Sequence, residues 1–269
     1  MKVAWIGLGR IGKPMAMRVL GAGHALNGHA RTPDKHRDLE QAGGHLTASP
    51  VDAVADADVV CVNVYSEPQL RAALVESGAI AAMAPGAVVA IHSTVGPAAI
   101  AELAAIRSDV AILDAAFSGT DASAAAGTIA LMVGGTEAAL DKARPVLSAY
   151  ADFIAHVGPS GAGMTMKLVN NALFGAQMQL AYDALRILVG SGIDKDVAVA
   201  TLARSSGGSF ALGRFGGAGS PEAVMEGVRP YMEKDVEHAR IAAREADFDL
   251  GMLEIATRPF VTGVTGAIE

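Results

Sequence analysis

The feature that most restricts the fold is a succession of short runs that are apolar on both faces. "ADVVCVNV" (57–64), "AVVAIHS" (87–93) and "DVAILDAAF" (109–117) show no alternation of apolar and polar residues. Such runs suit central strands of a parallel sheet covered on both sides. "KVAWI" (2–6) precedes them, and "TIALMVGG" (128–135) and "ADFIAHVG" (151–158) follow. Helical patterns at 10–23, 67–76, 97–107 and 136–149 separate most of them. Strand and helix in turn predict a mostly parallel α/β sheet with right-handed crossovers. "ALNGHA" (25–30) reads as a poor strand, because Asn27 and Gly28 interrupt it.

After Gly163 the strand signal stops. Residues 164–192 keep helical periodicity, 205–220 are rich in Gly and Ser, and 229–246 and a segment to about 263 read as helices. The boundary is expected near 160–163, giving domains 1–162 and 163–269. Apolar residues make up 51% of the 269 and aromatics only 4%, so the core must rest on Ala, Val, Leu, Ile and Met. Met164, Met166 and Met178 are read as core fillers. The net charge is −7 and no basic stripe is present, which argues against nucleic acid as a partner. No uncharged apolar run lacking Pro reaches the ~18 residues that a membrane span needs. The single cysteine, Cys61, reads as a buried strand residue, and "MKVAWIGLGRIG" lacks a signal-peptide pattern, so a cytoplasmic location is expected. The histidines, including His24, His29, His92 and His156, show no metal-ligand spacing, so no metal is expected.

"WIGLGRIGKPM" carries G-x-G-x-x-G at Gly7, Gly9 and Gly12, between an apolar strand and a helix. That setting marks a Rossmann-type dinucleotide loop, in which glycines let a pyrophosphate approach a helix N-terminus. Leu8, Arg10 and Ile11, between the glycines, are assigned to the same contact. An acidic residue about 20 positions on would bind the ribose of NAD. Here "ARTPDK" places Arg31 and Thr32 at that point, with Lys35 close by and Asp34 between. A guanidinium can pair with a 2′-phosphate. NADP(H) is therefore the expected cofactor, with NAD(H) possible.

In "KLVNNAL" (167–173), Lys167, Asn170 and Asn171 share one face of an otherwise apolar helix. Buried Lys and Asn are costly unless paired, so this face is either wet or a site. Taken alone, a lysine snorkelling from a groove is the commoner case.

Four stretches in order resemble the β-hydroxyacid dehydrogenase family, the group of 3-hydroxyisobutyrate dehydrogenase and glyoxylate/succinic semialdehyde reductase. They are "GLGRIGKPMA", "DAAFSGTDASAAAGTIALMVGG" (114–135), "GAGMTMKLVNN" (161–171) and "EKDVEHA" (233–239). The resemblance implies a dinucleotide domain, a long connecting helix and an all-helical, 6-phosphogluconate dehydrogenase-like second domain, in dimers or tetramers. It implies interconversion of a small 3-hydroxy acid with its aldehyde or keto acid by hydride transfer. Lys167 would be the acid/base residue, with Asn171 one turn on. Ser118, Gly119, Thr120 and Asn171 would hold the substrate carboxylate. Lys234 would reach the site from the second domain, touching substrate and cofactor. Val64, Tyr65 and Thr94 would line the nicotinamide side.

The chain departs from the family pattern at Ala116 and Phe117, which replace Pro-Val, and at Thr120, which replaces a Gly. Tyr65 stands where a Pro is common. A free lysine titrates near ~10.4, so partial burial and a helix N-terminus would help it serve as a base. Two rivals share the architecture. Imine reductases typically carry another residue at the lysine position, and a non-catalytic dinucleotide sensor would be expected to lose the Lys167–Asn171 pair.

Overall fold

The computed structural model describes residues 1–217, 219–245 and 247–262. They form two compact units, Met1–Lys167 and Leu168–Glu269.

In the first unit the described residues form one eight-stranded sheet. Its strands are β1 (Lys2–Ile6), β2 (Ala25–His29), β3 (His45–Thr47), β4 (Val59–Val62), β5 (Val88–Ile91), β6 (Ala111–Ser118), β7 (Ile129–Gly134) and β8 (Ala151–Gly158). The spatial order is β3-β2-β1-β4-β5-β6-β7-β8. β6 and β7 pair antiparallel, and the other neighbours are parallel. This is the doubly wound order with two further strands, and its topology switches between β1 and β4. Strand β1 shows why the apolar runs lack alternation. Val3 and Trp5 face one apolar layer while Ala4 and Ile6 face the other.

Strand β2 forms despite Asn27 and Gly28, because its neighbours demand a small residue. A Cβ at Gly28 would lie 2.6 Å from Leu46 Cδ2 on β3. Strand β3 has three residues and leaves no periodicity to read. The helix expected at 67–76 is two pieces, Glu67–Arg71 and a π-helical turn over Ala72–Glu76.

The Ala162–Gly190 helix is 29 residues long. It begins in the first unit and continues into the second, whose other helices are Lys195–Ala203, Phe210–Gly213, Pro221–Glu245 and Met252–Thr262. Among the described residues this unit contains no strand. Its core includes Met178, Leu185, Leu212, Phe215 and Phe260. The helix expected from residue 229 starts at Pro221 instead. Ser220 Oγ accepts from Ala223 N at 3.3 Å, and Pro221 suits a first helical position. Pro230 therefore sits inside the helix, not at its start. Met164 and Met178 are buried as expected, but Met166 is 47% exposed and is no core filler.

Candidate active site

A cleft of about 680 Å³ opens at the carboxyl ends of β1 and β4, at the switch point. Gly7 has φ +99°, and a Cβ there would lie 2.1 Å from the Asn63 carbonyl oxygen. A Cβ at Gly12 would lie 2.1 Å from the Gly7 carbonyl oxygen. These two glycines let the turn close on itself. At Gly9 a Cβ would meet nothing within 4 Å, so this side of the loop is open to an incoming group. The Gly12–Gly21 helix that follows has no side-chain cap and no acidic residue in its first turn. Its first N–H groups suit a phosphate. The residues present thus fit a dinucleotide.

The cleft gathers Gly7, Leu8, Gly9, Arg31, Thr32, Lys35, Val64 and Tyr65. Arg10, Ile11, Gly12 and Thr94 are not on its wall. Arg10 is exposed at the head of the first helix, Gly12 is buried behind it, and Thr94 follows β5 half-buried. Four polar residues that sequence reasoning missed also line it: His29, His36, Asn63 and Gln69. Asn63 had a positional signal, being the first residue after β4 at the switch point. His36 and Gln69 had none.

At the Arg31 end the charges are sorted. Arg37 donates to Asp34 Oδ1 from Nη2 at 2.8 Å and from Nε at 3.2 Å. The one acid in "ARTPDK" is thereby engaged by Arg37, while Arg31 stays exposed on the cleft. Burial, and then the charge of Lys13, lowers the pKa of His36, with Asp38 opposing. Burial likewise lowers that of His29. At the other end the loop after β4 is braced. Val64 N donates to Ser93 Oγ at 2.8 Å and Tyr65 N to Gln69 Oε1 at 3.0 Å.

Behind the glycine loop lies a buried polar cluster. His92 Nδ1 is 2.6 Å from the Ala115 carbonyl, so this nitrogen carries the proton. His92 Nε2 then accepts from the Tyr150 hydroxyl at 3.0 Å. The Cys61 thiol, 3.8 Å from that hydroxyl oxygen, is left as donor to it. Burial drives His92 down to about 4 and the Cys61 thiol up to about 12. Trp5 stacks on His92 with ring centroids 6.0 Å apart. His92 is thus a core histidine, and Cys61 is a buried strand residue as read from the sequence.

Ser118 ends β6, exposed, and Gly119 follows at φ +149°. Thr120 does something the sequence did not signal. Its Oγ1 accepts from Ser123 N at 3.3 Å and caps the Asp121–Ala126 helix. The Lys167 amine lies 5.9 Å from the centroid of the Phe117 ring, next to Ser118 on β6. The Phe that departs from the family pattern is therefore the residue beside the lysine. In the second unit Asn171 is buried. Its Nδ2 donates to Asp235 Oδ2 at 2.9 Å, and its Oδ1 accepts from Asn170 at 3.2 Å. The two asparagines are paired with each other, Asn171 buried and Asn170 partly exposed. Lys234 precedes Asp235 on the Pro221–Glu245 helix and is half-buried.

A glycine-loop cleft at the switch point of a doubly wound sheet defines a dinucleotide-binding fold. Comparison with known proteins gives the family. Residues 2–158 match the NAD binding domain of 6-phosphogluconate dehydrogenase. Residues 161–266 match the NAD-binding domain of NADP-dependent 3-hydroxyisobutyrate dehydrogenase. An NAD-dependent L-serine dehydrogenase of Pseudomonas aeruginosa is 39% identical over 214 residues, 78% of this chain and 72% of that protein. A Mycobacterium tuberculosis 3-hydroxyisobutyrate dehydrogenase, solved with L-serine, superposes with a TM-score of 0.86 at 27% identity, covering 97% of this chain and 93% of that one. An imine reductase of Streptomyces aurantiacus, at 17% identity and a TM-score of 0.67 over 97% and 93% of the two chains, shares the fold alone. The chain belongs to the β-hydroxyacid dehydrogenase family of NAD(P)-dependent oxidoreductases.

Proposed function

We propose that the protein interconverts a small 3-hydroxy acid and its aldehyde or keto acid, prefers NADP(H), and uses Lys167 as general acid and base. The observation that carries this reading is the Lys167 amine beside Phe117, at the strand end bearing Ser118 and Gly119. Lys167 and the dinucleotide cleft belong to the same compact unit.

A bound nicotinamide supplies or accepts the hydride. The chain supplies the proton and the orientation. Reduction leaves negative charge on the former carbonyl oxygen, and the Lys167 ammonium delivers a proton there. In oxidation the neutral amine withdraws the hydroxyl proton. The Ser118 hydroxyl and the backbone N–H groups of Gly119 and Thr120 are assigned to the substrate carboxylate. Asn171 and Lys234 are assigned to substrate contact on the resemblance alone.

Arg31, Thr32 and Lys35 are proposed to bind the 2′-phosphate of NADP(H). The engagement of Asp34 by Arg37 supports this reading, because the acid in that turn is held by Arg37 while the cations Arg31 and Lys35 face the cleft. Serine and 3-hydroxyisobutyrate, named for two relatives, are both 3-hydroxy acids, which supports the substrate class. A homodimer or homotetramer is proposed as well. Met166, Leu173, Leu180 and Ile187 stand seven residues apart on the long helix and are 47, 46, 62 and 62% exposed. An apolar heptad stripe of this kind suits a helix–helix contact between copies. The single buried cysteine supports a cytoplasmic setting. Among the described residues no helix is long and apolar enough to cross a membrane.

The test is the reduced-nicotinamide absorbance with NADP+ and NAD+ against L-serine, 3-hydroxyisobutyrate and homologous 3-hydroxy acids, with small aldehydes and cyclic imines in reverse. Turnover of 3-hydroxy acids supports the reading. Turnover of cyclic imines alone, or of nothing beside tight dinucleotide binding, refutes it.

A further inference from the structure

We propose that Asp114 is a positioning residue, whose buried carboxylate seats the head of the long helix on β6 and so sets the Lys167 amine against the end of that strand. The inference rests on the reading of Lys167 given above.

Asp114 lies within β6 and is fully buried. Its Oδ1 accepts from Gly161 N at 2.9 Å and its Oδ2 from Met164 N at 2.8 Å. Both donors are backbone groups at the head of the Ala162–Gly190 helix, where N–H groups lack partners of their own. At Gly163 no side chain separates helix from sheet. A Cβ at Gly163 would lie 2.3 Å from the Asp114 carbonyl oxygen and 2.6 Å from that of Met132. A Cβ at Gly134 would lie 2.5 Å from Asp114 Oδ1. The helix therefore has one seating, and the carboxylate latches it.

That latch sits between the two groups the chemistry needs. Lys167 is three residues beyond Met164 on the helix, one turn away. Ser118 is four residues beyond Asp114 on the strand. One buried carboxylate thus references the proton donor and the substrate-binding strand end to each other. A carboxylate is costly in a core even when hydrogen-bonded, and burial raises the pKa of Asp114 while the backbone donors oppose it. If support were all that was needed, packed apolar side chains would provide it without a buried charge.

The test is a double-mutant cycle, with the best substrate of the panel above and NADP(H), read as kcat and as dinucleotide affinity. Asp114→Asn keeps one acceptor and loses the other. Its kcat should fall on the order of 10²-fold, the effect of a misplacement near 1 Å. Asp114→Ala should fall further, so that Asn partly rescues it. Dinucleotide affinity should stay within about twofold, because the glycine loop is untouched, and in a Lys167→Ala background Asp114→Asn should change turnover by less than about twofold. Wild-type kcat in Asp114→Asn overturns the inference. So does an equal loss with and without Lys167, or a parallel loss of dinucleotide affinity. If the Asp114 variants do not fold, Gly163→Ala, which lifts the helix head from β6, must show the same dependence on Lys167. Wild-type turnover in Lys167→Ala alone refutes the underlying reading, and is recognised before the cycle is closed.

Discussion

Acidification should weaken the fold through His92. The ring is fully buried, donates to Ala115 and accepts from Tyr150, and so is held neutral. Its pKa falls from an ordinary 6.5 to about 4. The unfolded chain therefore binds the proton more readily, and stability is full above 6.5 and is lost as pH falls toward 4. The gap corresponds to about 3 kcal/mol in all, and to about 2 kcal/mol between pH 7.5 and pH 5. His29 and His36 are also lowered and act in the same direction, so the contribution of His92 must be isolated. The assay is urea unfolding followed by the fluorescence of Trp5, the single tryptophan, for the wild type and His92→Gln from pH 7.5 to pH 5. The variant should be less stable at pH 7.5 by about 1–3 kcal/mol, since Tyr150 or Ala115 loses a partner. It should also lose the His92 share of the pH slope, leaving that of His29 and His36. Equal slopes in the two proteins would show that His92 is protonated in the fold, and the tautomer and hydrogen-bond assignment would be wrong.

Arg31→Ala should raise the NADPH KM by about tenfold to several hundredfold, the worth of one or two charged hydrogen bonds, with little change for NADH. Steady-state kinetics with both cofactors decides, and a wild-type preference for NADH would mean that Arg31 does not read the ribose. Ser118→Ala should weaken carboxylate substrates by roughly 1.5–3 kcal/mol while sparing uncharged aldehydes. Equal losses for both classes would make Ser118 structural. Gly12→Ala should abolish dinucleotide binding measured by calorimetry, because its Cβ would sit 2.1 Å from the Gly7 carbonyl oxygen. Wild-type affinity in that variant would show that the loop does not need the close turn.

The parts of the molecule that could be read from the sequence are those whose cause is local. Strands β4, β5 and β6 were legible because burial on both faces leaves an unbroken apolar run. The glycine loop was legible because the turn it makes admits no side chain at Gly7 and Gly12. Lys167 stood out because an apolar helix is an expensive place for an amine. What escaped depends on distant backbone. Asp114 opens the segment "DAAFSGTDASAAAGTIALMVGG", yet its partners are the N–H groups of Gly161 and Met164, 47 and 50 residues away, which no side-chain pattern marks. The cap that the Thr120 side chain gives the Asp121–Ala126 helix also escaped, because it depends on the conformation of Gly119 and the turn into Asp121. The helix expected over 229–246 begins earlier, at the Ser220–Pro221 pair, and its later turns carry Pro230.

The most direct test of the account is the single-turnover rate of hydride transfer in Lys167→Ala, with NADPH affinity measured on the same sample. The glycine loop and the Arg31 wall keep all their residues in this variant, so affinity should hold within about twofold while the rate falls on the order of 10²–10⁴. A wild-type rate in Lys167→Ala would contradict the assignment of the acid/base role, whatever the substrate proves to be.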